Sequence, residues 1–202
     1  MDLSDSLSRP WLVSSRIINF NNKNWVSVPE EILKNHPQFL AGWNGQETLV
    51  LPDAHYHVAH VLLLHYLHKR EYQNIKVHGT HQESCAADFS TAIYVYKIGI
   101  KYQLPELSQL AGERIRIYGD EIAFPEIMKL FSSPPFDNME IQGLLRDYLC
   151  TRITREGPSM STQTRAEIEK VMGSTMISIL YQRIAGLERE KKTLEETVNK
   201  LQ

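Results

Sequence analysis

The stretch from Ala92 to Tyr118 leaves few ways for the chain to fold. Ala92, Val95, Tyr96, Gly99 and Tyr102 recur at three- and four-residue steps, which places them on one helical face. Gly99 lowers helix propensity there, and its use is to let another backbone come close. Pro105 suits the first turn of a new helix, where a missing N–H is no loss. Leu107, Leu110, Ala111, Ile115 and Tyr118 line the inner face of that second helix. The spacing predicts a helical hairpin that cannot bury both apolar faces alone, so the rest of the chain must supply its partners.

Upstream, Arg16–Phe20 and Trp25–Val28 read as strands joined by an Asn21-Asn22-Lys23-Asn24 turn. Pro29 opens a short helix, Glu30 and Glu31 suit its positive end, and Asn35-His36-Pro37 ends it. Gly42 to Gly45 form a turn before a strand over Thr48–Leu51. Asp53–His68 reads as a helix whose Val58, Val61 and Leu62 enter the core. Lys69–Asp88 is polar, with Val77-His78-Gly79-Thr80 as loop and a short strand at Ile75-Lys76-Val77. Downstream, Phe124–Phe131 is helical, and Asp137 with Glu140 starts another helix that buries Ile141, Leu144, Leu145 and Tyr148.

The 202 residues suffice for one well-buried domain and an appendage. The expected organisation is a mobile segment over residues 1–15, a domain over 16–155, a linker over 156–163 and a helix over 164–202. A formal charge of −2 argues against binding nucleic acid through phosphate contacts. The start lacks the basic and apolar regions of a secretory signal, and no apolar run is long enough to cross a bilayer. Cys85 and Cys150 are the only cysteines, which fits a reducing compartment, so the expected location is cytoplasmic or nuclear.

The run Val95-Tyr96-Lys97-Ile98-Gly99-Ile100-Lys101-Tyr102-Gln103-Leu104-Pro105-Glu106-Leu107 resembles a signature late in BTB/POZ domains. Val28-Pro29-Glu30-Glu31-Ile32-Leu33, with Pro37 and Phe39, resembles a fungal version of that family's first helix. Leu49–Asp53 and the run from His65-Tyr66-Leu67-His68 to Tyr72 resemble later elements, so the likeness spans about Ile17 to Ile153. It implies an α+β, BTB/POZ-like fold: a small sheet capped by helical hairpins, followed by a long C-terminal helix. It also implies self-association, with Trp11, Ile17 and Ile18 as possible dimer contacts. The first helix departs from the family's commonest pattern, with Pro29-Glu30 where His-Lys is usual. A second implication is service as substrate adaptor of a cullin-type ubiquitin ligase, although no separate substrate-reading domain follows.

The tail carries heptads. Ile177, Ile184, Lys191 and Val198 fall at a positions, and Leu180, Leu187, Leu194 and Leu201 at d. Branched residues at a with Leu at d favour a parallel two-stranded coiled coil, and Lys191 disfavours higher states. Glu190 and Glu195 would repel across a self-paired seam, which leaves room for a different coiled-coil partner. The competing reading folds this helix back on its own domain. Residues 165–172 carry balanced charge, so the basic helix of a DNA-binding zipper is missing.

Seven of the eight histidines lie between His55 and His81. His57, His60, His65 and His68 would share one broad helical sector, a spacing that suits zinc. No Cys or carboxylate completes a tetrahedral set, so neither a metal nor a cofactor is expected. Cys85 reads as a loop thiol without a base to activate it. The resulting expectation is a non-enzymatic interaction module that associates with itself through its domain and its coil, acting as scaffold or adaptor.

Overall fold

The computed structural model describes residues 14–21, 23–52, 54–76, 78–131, 136, 141–156, 187 and 189–198. Up to Glu156 these residues form an α+β structure of one three-stranded sheet and eight α-helices, with a π-helical segment between two of them, and residues 189–198 are helical as well. The chain divides into two units, one of Met1–His78 with Ser90–Glu113 and one of Gly79–Phe89 with Arg114–Gln202.

In the first unit, strand β1 (Ser15–Phe20) is the centre of the sheet, with order β2-β1-β3. It runs antiparallel to β2 (Asn24–Pro29) and parallel to β3 (Thr48–Leu51). Alternation turns Ile18, Phe20, Val28, Leu49 and Leu51 into the core. Helix α1 (Glu30–Lys34) begins directly after β2, and Arg16 Nε donates to Glu30 Oε1 at 2.7 Å. Pro37 does not merely end α1: it takes the first position of a second helix, α2 (Pro37–Ala41).

Phe39 of α2 is fully buried, edge-on to Trp43 at 5.4 Å and to Tyr102 at 5.2 Å between ring centres. Trp43 Nε1 donates to the Ile17 carbonyl at 3.1 Å, tying this aromatic group to the central strand. The helix expected over 53–68 is three continuous segments: α3 (Tyr56–Ala59), a π-helix, π1 (His60–Tyr66), and α4 (Leu67–Lys69). Its buried face carries Val58, Val61, Leu62, Tyr66 and Leu67.

The hairpin consists of α5 (His81–Lys101) and α6 (Pro105–Glu121), and the division between the units cuts both helices. Pro105 opens α6, as its missing N–H favours. Within the first unit, a Cβ on Gly99 would lie 2.9 Å from the amide nitrogen of Ser108, so the glycine permits the helices' close approach.

Helix α5 starts well before Ala92. Thr80 and Glu83 form a capping box: Thr80 N donates to Glu83 Oε2 at 2.8 Å, and Glu83 N donates to Thr80 Oγ1 at 3.3 Å. The polar stretch ending at Asp88 is therefore partly helix, and polarity marked a solvent face there rather than a loop. Residues 75 and 76 form no strand, and Val77 lies outside the described residues.

The second unit contains the outer ends of this hairpin, α7 (Phe124–Phe131) and α8 (Gly143–Glu156). Phe89 meets Phe131 and Tyr148, with ring centres 6.4 and 6.3 Å apart. Arg152 is only 2% exposed. Its Nη2 donates to the Ile122 carbonyl at 2.9 Å, and its Nη1 donates to Tyr148 Oη at 2.8 Å and to the Gly119 carbonyl. It thereby satisfies the Ile122 carbonyl just past α6 and adds a second donor to that of Gly119, which also accepts from Ile122 N. Glu156 Oε1 accepts from its Nε at 2.6 Å and supplies the opposite charge that burial demands. Burial pushes the Tyr148 hydroxyl up to about 12, keeping it protonated and available to donate to Asp120 Oδ1.

Gly99→Ala should lower stability by about 1–3 kcal/mol, because overpacking against backbone outweighs the roughly 1 kcal/mol gain in helix propensity. Urea denaturation of the two chains checks this. An equal or higher midpoint for the alanine chain would mean that Ser108 yields freely.

Candidate functional site

The side chains marked by the sequence do not converge on one place. Trp11, Ile177, Leu180, Ile184 and Leu201 lie outside the described residues, as do the proposed caps Asp137 and Glu140. Of the candidate domain contacts, Ile18 is fully buried in the core, while Ile17 is 37% exposed. Alternation puts Ile17 on the outer sheet face, where Trp25 and Val50 also lie exposed across from Asn19. Asn19 is itself buried, and its Oδ1 has no hydrogen-bond partner. Trp25 and Val50 escaped the sequence reading, although strand alternation from Ile18 would have turned both outward.

In the tail, residues 187 and 189–198 are helical. Leu187 is 43% exposed, Leu194 66% and Val198 52%. With Lys191 they follow steps of four, three and four, so they form one stripe along the helix. Leu187, Glu190, Lys191, Leu194, Glu195 and Val198 line one continuous surface. Lys191 Nζ approaches Glu195 Oε1 at 3.8 Å within the same helix. Such an exposed pair adds little stability, and the leucines have the larger energetic consequence if covered.

The histidines separate into small groups. His55 lies edge-on to His57 and to Tyr94, each with ring centres 5.4 Å apart. His60 Nε2 is 3.0 Å from His65 Nε2. His68 is exposed. Among the described residues, no group of three or more His, Cys, Asp or Glu side chains is placed to hold a metal.

His36, outside that stretch, is the buried one. Its Nε2 donates to the Leu67 carbonyl at 3.2 Å, and its Nδ1 is buried without a partner. Burial holds this imidazole below its ordinary value, although the bond to Leu67 pulls the other way.

Cys85 is not on a loop but in α5, nearly buried, with Sγ 3.6 Å from His81 Nε2. Burial, then the charges of Glu121 and Asp88, push its thiol above the ordinary range. That is the reverse of what activates a nucleophile. Arg70 is a further residue the sequence did not single out. It sits at φ +60° after α4, donating to the Asn35 carbonyl and to Glu106 Oε2, both at 3.0 Å. Those bonds hold a left-handed residue that would otherwise be strained. No described helix is long and apolar enough to cross a membrane.

Residues 28–122, just under half of the chain, match the family model of the HAC6 N-terminal domain. This overturns the BTB/POZ resemblance, because the matched stretch contains nearly all the residues that carried it and assigns them elsewhere. The cullin-adaptor reading rested on that resemblance and loses its support with it. No curated protein and no solved structure matches the chain.

Stability should fall as pH drops below about 6.5, because the unfolded chain then takes protons that folded His36 resists. His55 and His60, also held low chiefly by burial, add to the same slope. Urea midpoints between pH 7 and pH 5 should decline for the natural chain and decline less for His36→Gln. Parallel declines would remove His36 from the account.

Proposed function

We propose that the chain is a non-enzymatic protein–protein interaction module, a scaffold or adaptor that pairs with a second copy of itself through its C-terminal helix. The observation that carries this reading is the exposure of Leu194 in line with Leu187 and Val198. Each such side chain gains about 1.5–3 kcal/mol when fully covered, and pairing covers the set on both helices. A helix of this length is marginal in water by itself, which strengthens the drive to associate.

The sequence extends the same frame in both directions, with Ile177, Leu180 and Ile184 before the stripe and Leu201 after it. Its choice of branched residues at a and leucine at d favours two parallel strands. Lys191 in the seam lowers affinity but disfavours larger assemblies. Glu190 and Glu195 lower self-affinity further, so a different coiled-coil protein is the competing occupant. The free thiols of Cys85 and Cys150 suit a reducing compartment, cytoplasm or nucleus.

Sedimentation of the whole chain tests the proposal. The natural chain should show twice its single-chain mass at high concentration. Leu187→Asp/Leu194→Asp should weaken pairing at least about 100-fold, which corresponds to roughly 2.7 kcal/mol lost from two covered leucines. A natural chain that stays single at every concentration contradicts self-pairing.

A further inference from the structure

His60 and His65 are five residues apart, a step that turns about 140° round an α-helix and would point two side chains away from each other. The segment His60–Tyr66 is instead π-helical. Its winding sets residue i+5 about one turn from residue i, and such turns occur frequently at functional sites. The change of winding thus brings the two imidazoles together, with Nε2 atoms 3.0 Å apart, ring centres 4.7 Å apart and planes inclined by 55°.

The contact meets hydrogen-bond geometry but is bent rather than head-on. A head-on N–H···N contact with the same nitrogen separation would put the ring centres about 5.3 Å apart. The observed centres are closer, so the rings are bent off the line between the nitrogens. An ion about 2.0–2.1 Å from each nitrogen, on the axis of each ring, would subtend about 91–97° and place the centres about 4.6–4.7 Å apart. The observed separation falls there. A tetrahedral ion would need the nitrogens about 3.3–3.4 Å apart, whereas neighbouring positions of a square or octahedral complex need about a right angle.

We propose that His60 and His65 form a two-nitrogen site for a divalent transition metal of square or octahedral preference, Cu2+ or Ni2+ ahead of Zn2+, with water completing its shell. Both rings are only partly buried, so an ion reaches them from solvent. His65 Nδ1 is buried without a hydrogen-bond partner. With Nε2 on the metal, that atom must carry the proton and leave it unmatched, which weakens binding by about 10–100-fold relative to a site whose second nitrogen has an acceptor.

The test is a titration of the whole chain, free of any added histidine tag, with CuCl2, NiCl2 and ZnCl2 at pH 7. Calorimetry would measure affinity, and electron paramagnetic resonance would report nitrogens bound to Cu2+. The natural chain should bind copper most tightly, with a two-nitrogen spectrum. His60→Gln and His65→Ala should each weaken it at least about tenfold and leave at most one of those nitrogens. His68→Ala should behave as the natural chain. Circular dichroism separates loss of ligand from loss of fold: His60→Gln, altering a half-exposed ring, decides the matter if His65→Ala unfolds. Copper affinity and spectrum unchanged in a folded His60→Gln chain, or tighter binding of zinc than copper by the natural chain, would overturn the proposal.

Discussion

The first unit depends on two helices coming closer than side chains ordinarily allow. Gly99 carries no Cβ, so Ser108 packs against its backbone, and Ser108 Oγ returns its hydrogen bond to the Leu104 carbonyl at 3.1 Å rather than seeking a partner across the gap. The approach fixes the corner between α5 and α6, and with it the ring of Tyr102. That ring lies over a second glycine: a Cβ on Gly42 would be 2.6 Å from Tyr102 Cε1. Phe39 meets the same ring edge-on, Trp43 meets Phe39, and the indole N–H reaches the central strand at Ile17. A continuous line of contact thus leads from one missing methyl group to the middle of the sheet. Close packing transmits a displacement at any point on that line to its neighbours.

The second unit relies on a different kind of contact. Arg152 places a charge in the interior, where an ion without partners would cost several kcal/mol. Its guanidinium offers donors in a planar fork, and the carbonyls at the end of α6 lie where that fork points. The Ile122 carbonyl would lose this donor beside an apolar side chain. Helix end and arginine therefore meet each other's needs, with Glu156 balancing the charge. Gly119 belongs to the same arrangement, since a Cβ there would lie 2.8 Å from Phe89 Cε2.

Much of this was legible from residue pattern. The hairpin, the role of Gly99, the place of Pro105 and the three strands follow from periodicity and from the limits of glycine and proline. The π-winding was not, because apolar residues at helical spacing satisfy an α-helix and a π-helix nearly alike over seven residues. His60 and His65 therefore appeared as members of a broad sector, not as a pair. The Thr80–Glu83 capping box was written in the sequence but masked by the polarity around it. Arg152 sits four residues after Tyr148 on the buried face of α8, and a search for apolar residues alone passes over it. The BTB/POZ resemblance shows how local physics imitates ancestry. Gly99, Tyr102 and Pro105 are each accounted for by a close helix crossing, an aromatic contact and a helix start, so a chain that turns such a corner presents similar residues whatever its family.

The stripe of Leu187, Leu194 and Val198 carries the proposed self-pairing, because its spacing suits a second identical helix. Amide hydrogen exchange across residues 189–198, followed over a range of protein concentrations, measures its covering directly. Self-pairing predicts slow exchange at high concentration that accelerates on dilution as pairs separate. Exchange rates that do not change with concentration would contradict it.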